Sequence, residues 1–187
     1  MGIQVREGTI DEIEKRLAEM NTALNKIVYL ESALKESGFS FEIKRFLWGK
    51  LVGLYVERVM FEKAAKAMSN KAGMEVVLRD KINSYLESAE LYSKVGKIDD
   101  ADEMFVRAGR DGSDADKMKV RLARKNIYLV MANDLEAKGK NASAAKFYER
   151  LIKMNLDDVE KNEIRDKLLV TYNALGLFRE ARLLKGL

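Results

Sequence analysis

The feature that most constrains the fold of this chain is a short pattern that occurs three times. An aromatic residue or leucine is followed four residues later by glycine and five residues after that by alanine. The copies are Tyr92, Gly96 and Ala101; Leu135, Gly139 and Ala144; and Tyr172, Gly176 and Ala181. Glycine ends helices because it adopts left-handed backbone angles without steric cost, and a small residue lets two helices cross closely. The pattern therefore predicts stacked helical hairpins.

The composition favours helices and excludes several kinds of chemistry. The 187 residues contain no proline, where average usage of about 5% would give roughly nine, and a chain without proline favours helices with short connections. Histidine and cysteine are also absent, which excludes thiol nucleophiles, disulfides and histidine- or cysteine-ligated metals. We therefore expect no catalytic residue, no cofactor and no metal site.

The sequence also predicts where the protein resides. Residues 1–6 lack the apolar core of a signal peptide. The longest apolar stretch, residues 46–61, contains Lys50, Glu57 and Arg58 and is too short to cross a bilayer as one helix. We expect no membrane span and a cytoplasmic location.

Capping signals and apolar spacing divide the chain into helices. Thr9 followed by Glu12 starts a helix, and the apolar residues behind them recur at three- and four-residue spacings that predict one N-terminal helix over residues 9–37. The region 41–72 is interpreted as a helical pair. Because no glycine marks a turn near Val59, one long helix is the alternative interpretation. Further helices are predicted near 74–94, 98–109, 114–138, 141–154, 157–174 and 178–187.

A longer register surrounds the pattern and resembles a known repeat family. In its fullest form the register is Tyr85, Ser88, Ala89, Tyr92, Gly96, Ala101, Phe105 and Ala108. This spacing is similar to that of the tetratricopeptide repeat (TPR), and the segment 85–109 resembles the hairpins of the soluble NSF attachment protein group. Similar segments begin at Trp48, Tyr128 and Arg165. With the segment that begins at Tyr85, successive starts are 37, 43 and 37 residues apart, against 34 in the family.

The resemblance implies an architecture. It is an all-α fold, a right-handed α-α superhelix of TPR-like helical hairpins with an additional N-terminal helix. The whole chain, residues 1–187, would form a single domain in which about four hairpins occupy residues 41–187. Because each hairpin exposes an apolar face that it cannot bury alone, neighbouring hairpins must pack against each other.

The resemblance also implies a concave groove lined by the first helix of each hairpin. Asparagine recurs at the corresponding positions, and its amide both donates and accepts hydrogen bonds, which suits a bound peptide. Ordinary solvated helix residues are the alternative interpretation. The groove positions are Asn83, Leu86, Glu90, Asn126, Leu129, Asn133 and Asn173.

Two other segments are candidate binding surfaces. A basic patch comprises Lys117, Lys119, Arg121, Arg124 and Lys125. Without interleaved aromatic residues it favours a solvated face over nucleic-acid binding. The last predicted helix carries Leu183, Leu184 and Leu187 with no helix after it, which predicts an apolar surface that a second copy could cover to form a homodimer.

The sequence therefore predicts a non-enzymatic scaffold or adaptor that binds a protein or peptide partner in a helical groove. One alternative is a nucleic-acid-associated protein that uses the basic helix around residues 117–125. A second is an enzyme that uses carboxylates or lysines, since those side chains remain available. No paired motif among them rises above the charge expected of helix surfaces.

Overall fold

The computed structural model describes residues 5–186. Over this range the protein consists of ten α-helices and contains no strand, which confirms the all-α expectation. The helices are α1 (Ile10–Glu19), α2 (Ala23–Ala33), α3 (Phe41–Glu57), α4 (Phe61–Ala72), α5 (Leu78–Lys94), α6 (Ile98–Gly109), α7 (Asp114–Ala137), α8 (Asn141–Ile152), α9 (Asp158–Ala174) and α10 (Phe178–Lys185). No helix between residues 5 and 186 is long and apolar enough to cross a lipid bilayer.

The N-terminal region forms two helices, so the prediction of one helix over residues 9–37 was wrong. Met20 has extended backbone angles and ends α1, and the Thr22 hydroxyl accepts a 3.2 Å hydrogen bond from the Asn25 amide to cap α2. A threonine that caps a new helix competes with continuation of the old one. The break also changes the buried face, because Leu24 lies on the predicted apolar stripe but is 55% exposed.

The region 41–72 is a helical pair, as interpreted from the sequence. The helix α3 ends at Glu57 and α4 begins at Phe61. Val59 lies between them with a φ of 59°, which is uncommon for a residue branched at Cβ. The turn therefore forms without the glycine that the sequence pattern would place there.

Four turns of the structure share one conformation. Each contains one residue of positive φ, with values of 59° at Val59, 74° at Gly96, 68° at Gly139 and 72° at Gly176. The next amide then donates to the carbonyl five residues earlier, as in a Schellman turn. These bonds are Met60 to Tyr55 (2.8 Å), Lys97 to Tyr92 (3.0 Å), Lys140 to Leu135 (2.8 Å) and Leu177 to Tyr172 (2.9 Å). The prediction that the three glycines end helices is confirmed.

The alanine of the pattern is buried in the first turn of the helix that follows. Its amide donates a 3.0 Å hydrogen bond to the carbonyl of the residue that precedes the helix in all four hairpins. The four residues are Ala64, Ala101, Ala144 and Ala181, with exposed fractions of 0%, 0%, 0% and 4%. Only a small side chain fits where helices approach this closely.

Contacts between helices divide the chain into two compact units, and their boundary in the sequence falls within α7, between Val120 and Arg121. In the first unit α3 packs on α2 and α4, and α5 packs on α4 and α6. Its core includes the fully buried Ile13, Leu30 and Leu47. The prediction of a single continuous domain stays a prediction.

The second unit has its own core. Here α9 packs on α8 and α10. The rings of Tyr128 and Phe147 meet edge to face with their centres 5.4 Å apart, an arrangement that aromatic pairs prefer. Leu151 and Leu168 are buried in the same unit.

Candidate functional site

The groove residues predicted on α5 lie in the first unit. Asn83, Leu86 and Glu90 are each half-buried. The Asn83 side-chain carbonyl accepts a 3.2 Å hydrogen bond from Lys119, and Glu90 forms a 2.8 Å ion pair with Lys94. The polar groups of this face are therefore partly occupied by neighbouring side chains.

The other predicted groove residues lie in the second unit. Asn126, Asn133 and Asn173 are exposed, and Leu129 is half-buried. The side-chain carbonyl of Asn133 accepts a 2.7 Å hydrogen bond from the Lys167 ammonium and lies 3.0 Å from the Tyr148 hydroxyl, which donates to Glu136 at 2.8 Å. Its acceptor oxygen is thus used within the unit, and its amide nitrogen is the group left for a ligand.

In the predicted basic patch two cations pair with carboxylates and two others contact neutral side chains. Lys117 lies 3.4 Å from Asp114, Lys119 donates to Asn83, and Lys125 pairs with Glu160. Arg124 lies with its guanidinium 5.6 Å from the centre of the Tyr128 ring. Exposed Arg121 is the one residue of the predicted patch that has no contact of these kinds within residues 5–186. Such pairing weakens the field that a nucleic-acid surface would need.

The C-terminal leucines do not form one exposed surface. Leu184 is only 7% exposed, so its inclusion in an open apolar surface was wrong, whereas Leu183 is 65% exposed. Leu184 and Ala181 are three residues apart and share the buried face of α10, and Leu183 points away from it. Leu187 lies outside the described residues, as do Met1–Gln4, on which the expectation of no signal peptide partly rests.

A surface that the sequence analysis did not identify lies between α2, α3 and α4 in the first unit. It is a cleft of about 950 Å³, which we call the α3–α4 cleft. This volume is within the range of small-molecule binding pockets. Its main apolar lining consists of Leu34, Trp48, Tyr55, Met60, Phe61 and Ala67, and its charged lining of Glu31, Lys35, Glu62, Lys63 and Lys66.

One acid of the cleft, Glu31, is bound by groups of α3 and α4. The hydroxyl of Tyr55 donates a 2.5 Å hydrogen bond to Glu31, and the Lys63 ammonium lies 3.8 Å from the same carboxylate. Lys63 also lies 5.6 Å from the centre of the Tyr55 ring. Burial raises the pKa of the Tyr55 hydroxyl, and the hydrogen bond to Glu31 raises it further. These contacts fix one wall of the cleft.

The second acid, Glu62, is held by a lysine that follows α5. Lys97 forms a 2.5 Å hydrogen-bonded ion pair with Glu62, and this bond raises the pKa of the Lys97 ammonium. Both carboxylates of the cleft therefore have cationic partners. In contrast, Lys35 and Lys66 are exposed and form no ion pair with any residue between 5 and 186.

Val59 lines the same cleft and is 69% exposed. Left-handed backbone angles are sterically costly for valine, and strained residues of this kind cluster at functional sites. The sequence held one signal for this turn. Tyr55, Val59 and Ala64 have the spacing of the repeated pattern with valine in place of glycine.

The structure shows no cluster of metal-binding side chains in the part of the chain that it describes. Over residues 5–186 no three acidic residues are placed to hold a metal ion together. Burial raises the pKa values of the Tyr148 and Tyr172 hydroxyls, and their hydrogen bonds to Glu136 and Glu149 raise them further.

Comparison of the chain with protein-family models found no matching family, and comparison with curated proteins found no match.

Proposed function

We propose that this protein is a non-enzymatic scaffold that binds a helix or peptide of a partner protein. In this proposal its hairpins form a right-handed superhelix of the tetratricopeptide type. The recurring turn supports a repeat architecture, since four hairpins share its hydrogen bonds and its buried alanine. Stacked repeats of this kind expose extended surfaces that bind other proteins.

The α3–α4 cleft is the observation that carries the proposal. Its apolar lining includes three aromatic side chains, Trp48, Tyr55 and Phe61. Residues of this type dominate the energetics of protein interfaces. The asparagine positions of α5, α7 and α9, homodimerisation through Leu183 and a cytoplasmic location stay predictions.

Site-specific photo-crosslinking tests this function. A photoreactive amino acid placed at Lys66 should capture a discrete partner in cells that produce the protein. The purified partner should then bind the wild-type protein and lose most of its affinity for Trp48→Ala. Lys146 is the matched control position, because it is exposed and lies two residues after the buried Ala144, as Lys66 lies two after Ala64.

Two outcomes would contradict the proposal. One is equal capture of the same proteins from positions 66 and 146, which would show that the cleft has no preferred occupant. The other is a captured partner whose affinity is unchanged by Trp48→Ala. In either case the α3–α4 cleft would not be a protein-binding site.

A further inference from the structure

The charge and shape of the α3–α4 cleft specify the chemistry of its occupant. We propose that the cleft binds an amphipathic helix that carries bulky apolar side chains on one face and acidic side chains beside them. This inference rests on the proposed function, and it names the class of partner segment.

The apolar part of the occupant is set by the lining. Trp48, Met60 and Phe61 are each half-buried and line the cleft together with the buried Tyr55. They leave apolar surface that a partner could remove from water, at about 25 cal/mol per Å². A segment with leucine or aromatic side chains matches this lining better than a wholly polar one.

The acidic side chains of the occupant follow from the charged residues of the cleft that have no ion-pair partner. Glu31 is bound by Tyr55 and Lys63, and Glu62 is bound by Lys97. The charged side chains of the cleft that have no ion-pair partner within residues 5–186 are therefore two lysines, Lys35 and Lys66. Acidic side chains on the occupant complement them, whereas basic ones would be repelled.

The helical form follows from the elements that build the cleft. Residues of α2, α3 and α4 line it, and no sheet edge is present among residues 5–186 to which an extended peptide could add as a strand. A helix satisfies its own backbone hydrogen bonds and presents only side chains to a groove.

Trp48 provides a direct measurement, because it is the only tryptophan of the chain and it lines the cleft. The probes are three synthetic 16-residue peptides without tryptophan. The acidic peptide has leucine on one helical face and glutamate on the other. The basic peptide has lysine in place of each glutamate, and the proline peptide is the acidic one with two central prolines that prevent the helix.

The acidic peptide should shift the Trp48 emission in a saturable way. We expect its affinity to exceed that of the basic peptide by at least about tenfold at low salt, and salt should reduce the difference. The proline peptide should bind at least about tenfold more weakly than the acidic one if the bound form is helical.

Charge reversal ties the preference to the two lysines. The double variant Lys35→Glu/Lys66→Glu should reverse the order and bind the basic peptide more tightly. Lys146→Glu/Lys153→Glu is the matched control, because both lysines are exposed and lie outside the cleft lining. It makes the same change in net charge and should keep the preference for the acidic peptide.

The outcomes separate this inference from the proposed function. Equal binding of the acidic and basic peptides, a preference for the basic one, or a preference unchanged in Lys35→Glu/Lys66→Glu would overturn the acidic assignment. A cross-linked partner that binds the cleft through a basic or extended segment would also overturn the inference and would leave the scaffold function intact. If no partner bound at the cleft, both the inference and the proposed function would be wrong.

Discussion

The turn between α3 and α4 and the three glycine turns have the same hydrogen bonds but different residues at the left-handed position. Glycine adopts that conformation without strain at positions 96, 139 and 176, whereas Val59 holds it with a branched side chain. The strained turn lines the α3–α4 cleft. The pattern therefore specifies a backbone conformation, and one hairpin has an apolar side chain at that position despite its steric cost.

Substitutions in the cores of the two kinds of hairpin should reduce stability most. Phe105 of a glycine-turn hairpin and Met68 of the valine-turn hairpin each lie four residues after the buried alanine and are 3% and 7% exposed. Phe105→Ala should reduce the free energy of unfolding by about 3–5 kcal/mol and Met68→Ala by about 2–5 kcal/mol. Urea unfolding measures both.

The exposed Val106 provides the control for these core substitutions, because it is 62% exposed and Val106→Ala should change the stability by less than about 0.5 kcal/mol. A loss of stability below about 1 kcal/mol for Phe105→Ala would show that Phe105 does not belong to the core and that the two kinds of hairpin are not equivalent.

A smaller effect follows from placing valine in a glycine turn. A Cβ atom at Gly96 would meet no heavy atom within 4 Å, so the main cost of Gly96→Val should be backbone strain, offset in part by the lower conformational entropy of the unfolded chain. The expected loss in the free energy of unfolding is about 1–2 kcal/mol. Gly96→Ala should lose less, since alanine is not branched at Cβ. If both variants were as stable as wild type, glycine would not be needed for this turn.

The reverse substitution should stabilise the valine turn. Val59→Gly removes the strain but adds conformational entropy to the unfolded chain, so the net gain should be about 0.5–1 kcal/mol in urea unfolding. Val59→Asn should lie between the two, because asparagine tolerates left-handed angles better than valine. A clear loss of stability in Val59→Gly would mean that the side chain contributes more by packing than its conformation costs.

A pH-dependent effect should distinguish Tyr172 and Tyr55, the tyrosines that precede two of these turns. Burial raises the pKa of Tyr172 to about 12, with a further contribution from its 2.9 Å hydrogen bond to Glu149. An unfolded tyrosine ionises near pH 10, so the unfolded state loses protons first and the free energy of unfolding should fall as the pH rises from about 10 to about 12. This fall should be shallower in Tyr172→Phe.

Tyr55→Phe should have the same effect on the valine-turn hairpin, because burial and the bond to Glu31 also raise the Tyr55 pKa. Urea unfolding at several pH values between 9 and 11 measures the slopes. A slope unchanged in both variants would show that neither hydroxyl stays neutral in the folded state while it ionises in the unfolded one.

Most helix boundaries could be predicted because they depend on local chemistry. Glycine at positions 96, 139 and 176 ends helices, and Asp157 accepts a hydrogen bond from the Glu160 amide to start α9. The break at Met20 could not be predicted from the apolar spacing, since the stripe continues through Leu24 and only the packed structure exposes that residue.

The candidate site could not be predicted from the sequence. The α3–α4 cleft depends on how α3 packs on both α2 and α4, which no motif in the sequence specifies. Likewise, Lys35 and Lys66 are distinguished from Lys63, the other lysine of the cleft, because Lys63 pairs with Glu31 in the folded structure. Such differences arise from tertiary contacts, which local sequence patterns do not report.

The left-handed valine also has a consequence for the motions of the first hairpin. A strained closure raises the population of molecules in which the start of α4 has opened, so the Met60 amide should exchange with deuterium sooner than the equivalent amides of Lys97 and Lys140. A helix bound against Phe61 and Lys66 would hold that segment closed. Binding of a partner helix at the α3–α4 cleft would then be detected as slower deuterium exchange at the Met60 amide.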